Sequence, residues 1–120
     1  MGLLDDPVAG RIERYLDLAA KRQELVASNM ANVDTPRYRT RDIDFEAELR
    51  RAISAGVPAP APNVVEVQDL VERPDGNNVD MDREGLLLAK TQLEFTLGAE
   101  LLKHRFQNLM SVIREGNASV

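Results

Sequence analysis

The sequence contains no cysteine and no tryptophan, and aromatic residues make up only 4% of its 120 residues. Without cysteine there are no disulfide bonds, thiolate metal sites or cysteine nucleophiles. No stretch approaches the ~20 consecutive apolar residues of a membrane-spanning helix. The first ten residues lack the basic and apolar regions of a cleaved secretory signal. We therefore expect no membrane insertion, and any export is expected to proceed without a cleaved signal peptide.

Large side chains are scarce, because the apolar residues are mainly Leu, Val and Ala. A chain of this length corresponds to one domain. A small domain buries only about 60 to 70% of the surface that its unfolded chain exposes. The core is therefore expected to be thin, and contacts with partners are expected to contribute to stability.

The net charge of −5 is unevenly distributed. Residues 57–82 hold six acidic side chains and one basic side chain, whereas the rest of the chain is nearly balanced. A nucleic-acid-binding protein needs a basic face that neutralises phosphates. The charge distribution therefore argues against nucleic acid as a partner.

Apolar residues recur at alternating spacings of four and three at both ends of the chain, as in the seam of a coiled coil. In the N-terminal segment, residues 1–33, the predicted seam consists of Ile12, Leu16, Ala19, Gln23, Val26, Met30 and Val33. In the C-terminal segment, residues 81–120, it consists of Leu88, Gln92, Phe95, Ala99, Leu102, Phe106, Leu109 and Ile113. The pattern predicts two long helices.

Local signals indicate where these helices begin and end. Pro7 suits a first helical turn, with Asp5 or Asp6 as the N-cap. Asp80 is the expected N-cap of the last helix, and Gly116 its expected end.

The simplest fold is mainly α, with the two long helices packed as an antiparallel coiled-coil pair. The expected neighbours are Met30 with Leu88 or Gln92, and Ile12 with Leu109 or Ile113. The seams are longer than the middle of the chain can cover, so part of each is expected to contact other subunits.

The middle segment, residues 34–80, has a different composition. Phe45, Leu49, Ala52 and Ile53 define one face of a short helix, which Gly56 is expected to end. Residues 57–63 alternate proline with small residues, as in a stiff polyproline spacer. The sequence VVEVQDLVERPDGNN predicts a short strand followed by a turn. The middle is thus predicted to be irregular with little β-structure.

The stretch ASNMANVDTPRYRTRD, residues 27–42, interrupts the first heptad series. Pro36 disfavours helical backbone at Thr35, so the helix is expected to stop by about Asp34. Asn32 can adopt the left-handed conformation that commonly ends a helix.

Beyond the proline, we expect an extended, charged arm. Its period of two would send Arg37, Arg39 and Arg41 to one side, and Tyr38 and Thr40 to the other. The arginines are compatible either with a solvated face or with a subunit interface.

The sequence ASNMANVDTPRYRTRDIDFEAEL closely resembles the N-terminal signature of bacterial flagellar axial proteins. The stretches RDIDFEAEL and DGNNVDMDREGLLLAKTQLEF resemble the proximal-rod members of that family. The similarity spans nearly the whole chain in the expected order. Arg37 stands where many relatives carry Gly, the residue that most readily adopts a positive φ.

The resemblance implies a structural subunit of the flagellar rod, without cofactors, located in the periplasmic part of the basal body. It implies export through the flagellar type III apparatus and helical assembly with copies of itself and with rod proteins of the FliE, FlgC and FlgF types. The implied subunit interface consists of Asn29, Asn32, Asp34, Thr35, Pro36, Arg37, Tyr38, Arg39 and Arg41.

Other functions receive less support from the sequence. A soluble helical-hairpin adaptor, binding through its acidic residues 57–82, remains the alternative to a rod subunit. An enzyme has almost no support, since carboxylate pairs such as Asp42 and Asp44 lack a neighbouring nucleophile or pocket. His104, with Glu100 one turn earlier, lacks further ligands for a transition metal.

The acidic residues near position 80 suggest calcium only superficially. They lack the glycine and the spaced glutamate of an EF-hand loop, so a turn followed by a helix cap is the better interpretation. These residues are Asp75, Asn77, Asp80 and Asp82.

Overall fold

A computed structural model describes residues 6–55 and 60–118 of the chain. Within these residues, three helices and two short strands follow one another. They are α1 (Pro7–Ala31), β1 (Arg41–Asp42), α2 (Phe45–Ala55), β2 (Val65–Glu66) and α3 (Met81–Ala118). The mainly α fold and the small β-structure in the middle confirm the fold class predicted from the sequence.

The N-terminal ends of the long helices follow the predicted capping signals. Asp6 caps α1, its Oδ1 accepting a hydrogen bond of 3.0 Å from the backbone N–H of Val8. Asp80 caps α3 through hydrogen bonds of 3.0 and 3.2 Å from the N–H groups of Asp82 and Arg83. Carboxylates at these positions also interact favourably with the helix dipole.

At the C-terminal ends, the cap of α1 and the last residue of α3 differ from prediction. α1 stops at Ala31, within the expected limit, but Asn32 has a φ of −104° and not the left-handed conformation. Its side-chain Nδ2 instead donates to the carbonyl of Ser28 at 2.8 Å. α3 continues through Gly116 to Ala118, since a glycine within a helix costs only about 1 kcal/mol relative to alanine.

α1 and α3 pack against each other in antiparallel orientation. Asn29 near the end of α1 contacts Glu84 near the start of α3, at 2.7 Å. At the other end, Arg105 of α3 pairs with the N-cap Asp6, at 2.5 Å between Nε and Oδ2. The antiparallel pairing was expected, but its register was wrong by one to three helical turns. Met30 follows Asn29, which contacts Glu84. Ile12 lies between Asp6, which pairs with Arg105, and Leu16, which lies against Gly98.

The close approach of α1 and α3 at Gly98 explains the wrong register and face. A Cβ atom at Gly98 would lie 2.7 Å from Cδ2 of Leu16, so only glycine fits without displacement. The helices therefore meet at Gly98 and not at the neighbouring Ala99. On a straight helix, positions seven residues apart are also rotated by about 20° relative to one another. A strict heptad series therefore does not stay on one face over the length of α3.

The predicted seam positions differ in exposure between the two ends of the chain. In the N-terminal segment, Ala19 and Val26 are buried, and the remaining predicted positions are half-buried: Ile12, Leu16, Gln23, Met30 and Val33. In α3, the half-buried predicted positions are Leu88, Leu102 and Leu109. The exposed ones are Gln92, Phe95, Ala99, Phe106 and Ile113.

The compact part of the core lies where α2 packs on α1. Leu18, Leu25 and Ile43 form its buried centre, with Phe45 and Leu49 packed against them. Phe45 also meets the ring of Tyr15 edge-on, with 5.4 Å between the ring centroids, and the guanidinium of Arg22 lies 5.8 Å from its centroid. Such contacts contribute about 0.5 to 1.5 kcal/mol beyond area burial.

The middle segment folds back on α2 and on the arm. The two strands pair antiparallel, with Arg41 opposite Glu66. The backbone N–H of Asn63 donates to the buried Glu48 of α2 at 2.6 Å. The predicted end at Gly56 and the first part of the proline-rich spacer, residues 57–59, lie outside the described residues.

Neither long helix has the apolar composition needed to cross a bilayer, and this holds for every helix in residues 6–55 and 60–118.

Candidate functional site

The end of α1, the arm, the loop before α3 and the first turn of α3 meet at one place, which we call the junction. It comprises residues 28–42 and 72–84 together with Arg22. Its hydrogen bonds join residues separated by up to 55 positions in sequence. The junction therefore sets how α1, the arm and α3 are placed relative to one another.

Asn29 lies at the centre of the junction and is only 1% exposed. Its Nδ2 donates to the carbonyl of Arg41 at 2.8 Å and to Oε1 of Glu84 at 2.7 Å. Its Oδ1 accepts from the hydroxyl of Tyr38 at 2.9 Å and from the N–H of Arg41 at 3.1 Å. An asparagine side chain has two donor hydrogens and two acceptor lone pairs, so all of them are used. No aliphatic side chain of similar size could make these four hydrogen bonds.

A charged group lies beside Asn29 and joins three elements. Asp42, 5% exposed, accepts from Nε and Nη2 of Arg22 at 3.1 and 3.0 Å. It also accepts from Nη2 of Arg83 at 2.7 Å, while Nη1 of Arg83 donates to the fully buried Glu84 at 2.7 Å. Charge-assisted, bidentate hydrogen bonds of this kind are the strong ones in proteins.

These contacts set the protonation of Asp42. Burial raises the pKa of its carboxyl, but the hydrogen bonds from Arg22, Arg83 and the backbone N–H of Ile43, together with the charge of Arg22, outweigh burial. The net effect holds the pKa of Asp42 below its ordinary value. Asp42 is therefore ionised at neutral pH and compensates the two arginines.

The loop before α3 completes the end of α1. The fully buried Asn77 donates through Nδ2 to the carbonyls of Asn32 and Thr35, at 2.8 and 2.9 Å. A guanidinium nitrogen of Arg73 donates to the carbonyl of Val33. These carbonyls belong to the turn that follows α1, and residues 40 to 45 positions later in sequence supply the donors that bind them.

Arg37 holds a backbone conformation that arginine rarely adopts. Its φ is +63°, in the left-handed region that costs L-residues about 1 to 2 kcal/mol. The conformation is held by a hydrogen bond of 2.9 Å from its N–H to the carbonyl of Asp75. A Cβ at the facing Gly76, φ +85°, would lie 3.3 Å from Cα of Arg37. The glycine thus allows the two backbones to approach.

The predicted arm is present, but it begins one residue later than expected. Arg37 belongs to the turn, so it does not share an alternating row with Arg39 and Arg41. From residue 38 onward the alternation holds, with Tyr38 half-buried, Thr40 fully buried and Arg41 exposed. Arg39 is half-buried and lies 3.6 Å from Glu72.

The nine predicted interface residues divide by exposure. Asn29 is buried inside the subunit, and Asn32, Tyr38 and Arg39 are half-buried. The exposed ones are Asp34, Thr35, Pro36, Arg37 and Arg41.

Several residues of the junction were not predicted from the sequence. Asp42 and Asn77 were considered only for other roles, and the others are Arg22, Arg73, Asn78, Arg83 and Glu84. Asn78 binds the arm directly, its Oδ1 accepting from the N–H of Thr40 at 2.7 Å. A signal was available in the paired asparagines of the DGNN stretch, because asparagine is favoured where side chains must bond nearby backbone.

The acidic residues near position 80 act in turns and caps. Asp75 accepts from the N–H of Asn77 at 3.0 Å, and Asp80 caps α3 as described. Among residues 6–55 and 60–118, no group of His, Asp or Glu side chains is arranged to hold a metal ion. His104 lies exposed on α3.

Comparison with known proteins identifies the family. A sequence profile described as "Flagella basal body rod protein" matches residues 16–39, which span most of α1, the turn that follows it and the start of the arm. The flagellar basal body rod protein FlgB of Salmonella typhimurium is 37% identical over 126 residues, covering 88% of this chain and 91% of the relative. FlgB of Escherichia coli has the same identity and coverage. The chain belongs to the FlgB family of flagellar basal body rod proteins. FlgB of Borrelia hermsii is also similar, at 32% identity over 84% of this chain.

Membership of the FlgB family confirms the predicted function as a structural rod subunit, and the soluble adaptor is not favoured. The profile match of residues 16–39 falls largely on the junction. It contains Asn29, Asn32 and the left-handed Arg37. In this FlgB relative, the family signature therefore coincides with a network that acts within the subunit.

Restoring glycine at position 37 is expected to stabilise the fold. Arg37→Gly should raise the free energy of unfolding by about 0.5 to 1 kcal/mol, because glycine adopts a positive φ without the steric cost. Urea unfolding followed by circular dichroism measures the change. Arg41→Gly is the matched control, since it removes the same side chain from extended backbone and should destabilise. If Arg37→Gly were no more stable than the parent, the strain at this turn would be disproved.

Proposed function

We propose that the chain forms part of the proximal rod, assembling helically with copies of itself and with rod proteins of the FliE, FlgC and FlgF types. Its membership of the FlgB family supports this placement, as does its elongated shape, with principal extents of 73 × 26 × 17 Å. The proposed role is mechanical, as one subunit of the shaft that transmits rotation. It requires neither catalysis nor a cofactor.

The observation that carries the proposal is the C-terminal part of α3. Arg105 is already level with the N-cap of α1, yet the helix continues to Ala118. At a rise of ~1.5 Å per residue, this adds roughly 20 Å of helix. Along it, Phe106, Val112 and Ile113 are 47, 65 and 44% exposed. Exposed apolar side chains that lie close together commonly mark surfaces that bind other proteins.

The exposed tip of the arm is a second proposed contact. Asp34, Thr35, Pro36, Arg37 and Arg41 lie at the surface of the junction. The buried network beneath them holds their backbone in one conformation, which reduces the entropy lost on binding. Asn29 and Tyr38 would then contribute by shaping this surface rather than by touching a neighbour.

We also propose export through the flagellar type III apparatus without a cleaved signal peptide, and a location in the periplasmic part of the rod. The helices gain most of their stability from tertiary packing. A thin core of this kind is compatible with a chain that must unfold to be exported.

The apolar end of α3 provides the test. Phe106→Asp combined with Ile113→Asp should leave expression and the unfolding midpoint nearly unchanged, because both side chains are exposed in the free subunit. The double variant should fail to restore motility to a strain that lacks its own FlgB. Electron microscopy of isolated basal bodies should then show no rod.

Val71→Asp is the control, since Val71 is 88% exposed on a loop away from α3 and should retain motility. Motility restored by the Phe106 and Ile113 double variant would show that this end of α3 makes no essential contact. Failure of the parent chain itself to restore rods, in a host whose other rod proteins come from the same source, would contradict the proximal-rod placement.

A further inference from the structure

The first turn of α3 is held to the rest of the subunit by charged side chains. The apolar core described above lies between α1, α2 and Ile43, and none of its members belongs to α3. At its start, α3 is held instead through Arg83 and Glu84. Hydrogen bonds need a partner in a fixed position, whereas apolar burial is not directional. The order of the first turn of α3 therefore depends on the residues that face it.

Those residues lie at the end of α1 and in the arm. Glu84 is fully buried, and its carboxylate accepts from Nδ2 of Asn29 and from Nη1 of Arg83, both at 2.7 Å. Arg83 also donates to Asp42 at 2.7 Å. The bonds to Asn29 and Asp42 exist only when the end of α1, the arm and the first turn of α3 are all formed. They therefore stabilise these elements together and none of them alone.

Two side chains of the preceding loop bridge the same elements. The fully buried Asn77 binds two carbonyls of the turn that follows α1, and its Oδ1 accepts from the N–H of Val79 at 2.8 Å. Arg73 donates to the carbonyl of Val33 and, at 3.2 Å, to that of Val79. Val79 directly precedes the N-cap of α3. Each bridge thus connects the turn after α1 to the start of α3.

The exposed tip of the arm depends on these bridges. Arg37 keeps its φ of +63° through the hydrogen bond of 2.9 Å from its N–H to the carbonyl of Asp75. A residue other than glycine persists in this region only where its surroundings hold it there. Those surroundings are the loop that contains Asp75, and Arg73 and Asn77 hold that loop in place. The tip therefore has its described conformation only when the junction is complete.

We propose that the junction couples the two long helices to the tip of the arm. The end of α1, the tip and the first turn of α3 become ordered together, so a partner that orders one of the long helices also fixes the tip. Coupling between two sites is reciprocal, so binding at the tip favours both helices in turn. The contacts that carry the coupling are those of Asn29, Arg73, Asn77 and Glu84 across the junction.

The coupling rests on the proposed function only for its consequence in assembly, where the tip contacts a neighbouring subunit. A subunit whose α3 is held by the rod then presents a formed tip to its next neighbour. The coupling itself belongs to the single chain and can be measured without rod partners.

Gly85→Ala tests the coupling from the side of α3. Gly85 follows Glu84, and an added Cβ would meet nothing beyond its own helix backbone within 4 Å. The substitution should raise the ratio of helix to coil at the start of α3 about fivefold, because alanine has the higher helix propensity. Through the junction, the same ratio at residues 24–31 of α1 should rise at least about twofold.

Carbon-13 chemical shifts of the Cα atoms measure both ratios in the full chain. Trimethylamine N-oxide, which favours burial, is added at a concentration that leaves the helices partly formed. The parent and the variant are compared under the same conditions.

Gly116→Ala is the matched control, because it makes the same change in the same helix, again with nothing within 4 Å of the added Cβ. Gly116 lies near the other end of α3, so its substitution should leave residues 24–31 unchanged. A second control places Gly85→Ala in a chain that carries Asn77→Ala and Glu84→Ala, which remove contacts across the junction. There it should still raise helix content in α3 but no longer change α1.

Hydrogen exchange of the Arg37 amide reports on the tip, because that amide donates to the carbonyl of Asp75. Gly85→Ala should slow this exchange at least about twofold, and Gly116→Ala should leave it unchanged. An end of α1 or an Arg37 amide that does not respond to Gly85→Ala would overturn the coupling. An equal response in the chain that lacks the junction contacts would overturn it as well. Because a single chain is measured, these results can fail while the rod function stands.

Discussion

Replacing Asp42 by Asn is expected to lower the free energy of unfolding by about 2 to 4 kcal/mol at pH 7, because breaking a buried ion pair leaves its partners without a countercharge. Arg22 would lose its acidic partner, and Arg83 would keep only Glu84. We expect a smaller loss than for a fully buried pair, because the side chains of Arg22 and Arg83 are 14 and 24% exposed. Urea unfolding followed by circular dichroism measures it.

The same variant has a predicted dependence on pH. The pKa of Asp42 is lowered in the folded protein, so the folded state holds its proton less tightly than the unfolded state does. Its contribution to stability is complete above the ordinary value of about 3.9 and is lost as pH falls through the lower, folded value. The stability difference between parent and Asp42→Asn should therefore be constant from about pH 5 to 8 and shrink below about pH 4.

Asp44→Asn is the control for this experiment. Asp44 is exposed two residues away, and it accepts a hydrogen bond of 3.2 Å from the N–H of Ala47. An asparagine can accept the same bond, so this change should cost little. Equal stability of the two asparagine variants at pH 7 would show that the charges around Asp42 do not hold the junction together.

The second large effect is expected at the close contact between the long helices. Gly98→Leu should lower the free energy of unfolding by about 2 kcal/mol, the net of the steric cost and of the gain in helix propensity. The added side chain would meet Leu16 and Tyr15 of α1, which already lie 2.7 and 3.4 Å from the position of a Cβ. The helices must then separate along part of their contact.

Ala99→Leu is the matched control, because it adds a leucine one position further along the same helix. Ala99 is exposed, so we expect a change within about 0.5 kcal/mol, as is usual for surface substitutions. Thermal unfolding followed by circular dichroism compares the two variants directly. A larger loss for Ala99→Leu than for Gly98→Leu would restore the seam predicted from the sequence.

The features predictable from the sequence are those that local chemistry determines. Asp6 before Pro7, and Asp80 before Met81, mark helix starts through interactions within one turn. Pro36 limits α1 because of a steric clash with its immediate neighbour. The exposed tip of the arm follows in the same way, since it needs only a helix stop followed by polar residues.

The remaining features depend on residues distant in sequence. Apolar residues lie on more than one side of α3, so the pattern alone does not show which side packs on α1. The close approach of α1 at Gly98 determines it. The φ of Arg37 is held by a hydrogen bond to the carbonyl of Asp75. The ionised state of Asp42 depends on Arg22 and Arg83, one on each long helix. Periodicity and turn propensity contain no information on such contacts.

The distance along the chain between the two halves of the junction has a consequence for synthesis. The carbonyl groups of Asn32 and Thr35 accept hydrogen bonds from Asn77, which lies 45 and 42 positions later in sequence. Asn29 binds Glu84, which lies 55 positions later. A nascent chain that ends before these residues can already pair Asn29 with Tyr38 and Arg41 and pack α2 on α1. The contacts from Asn77 and Glu84 must be added later, after about two-thirds of the polypeptide has been synthesised.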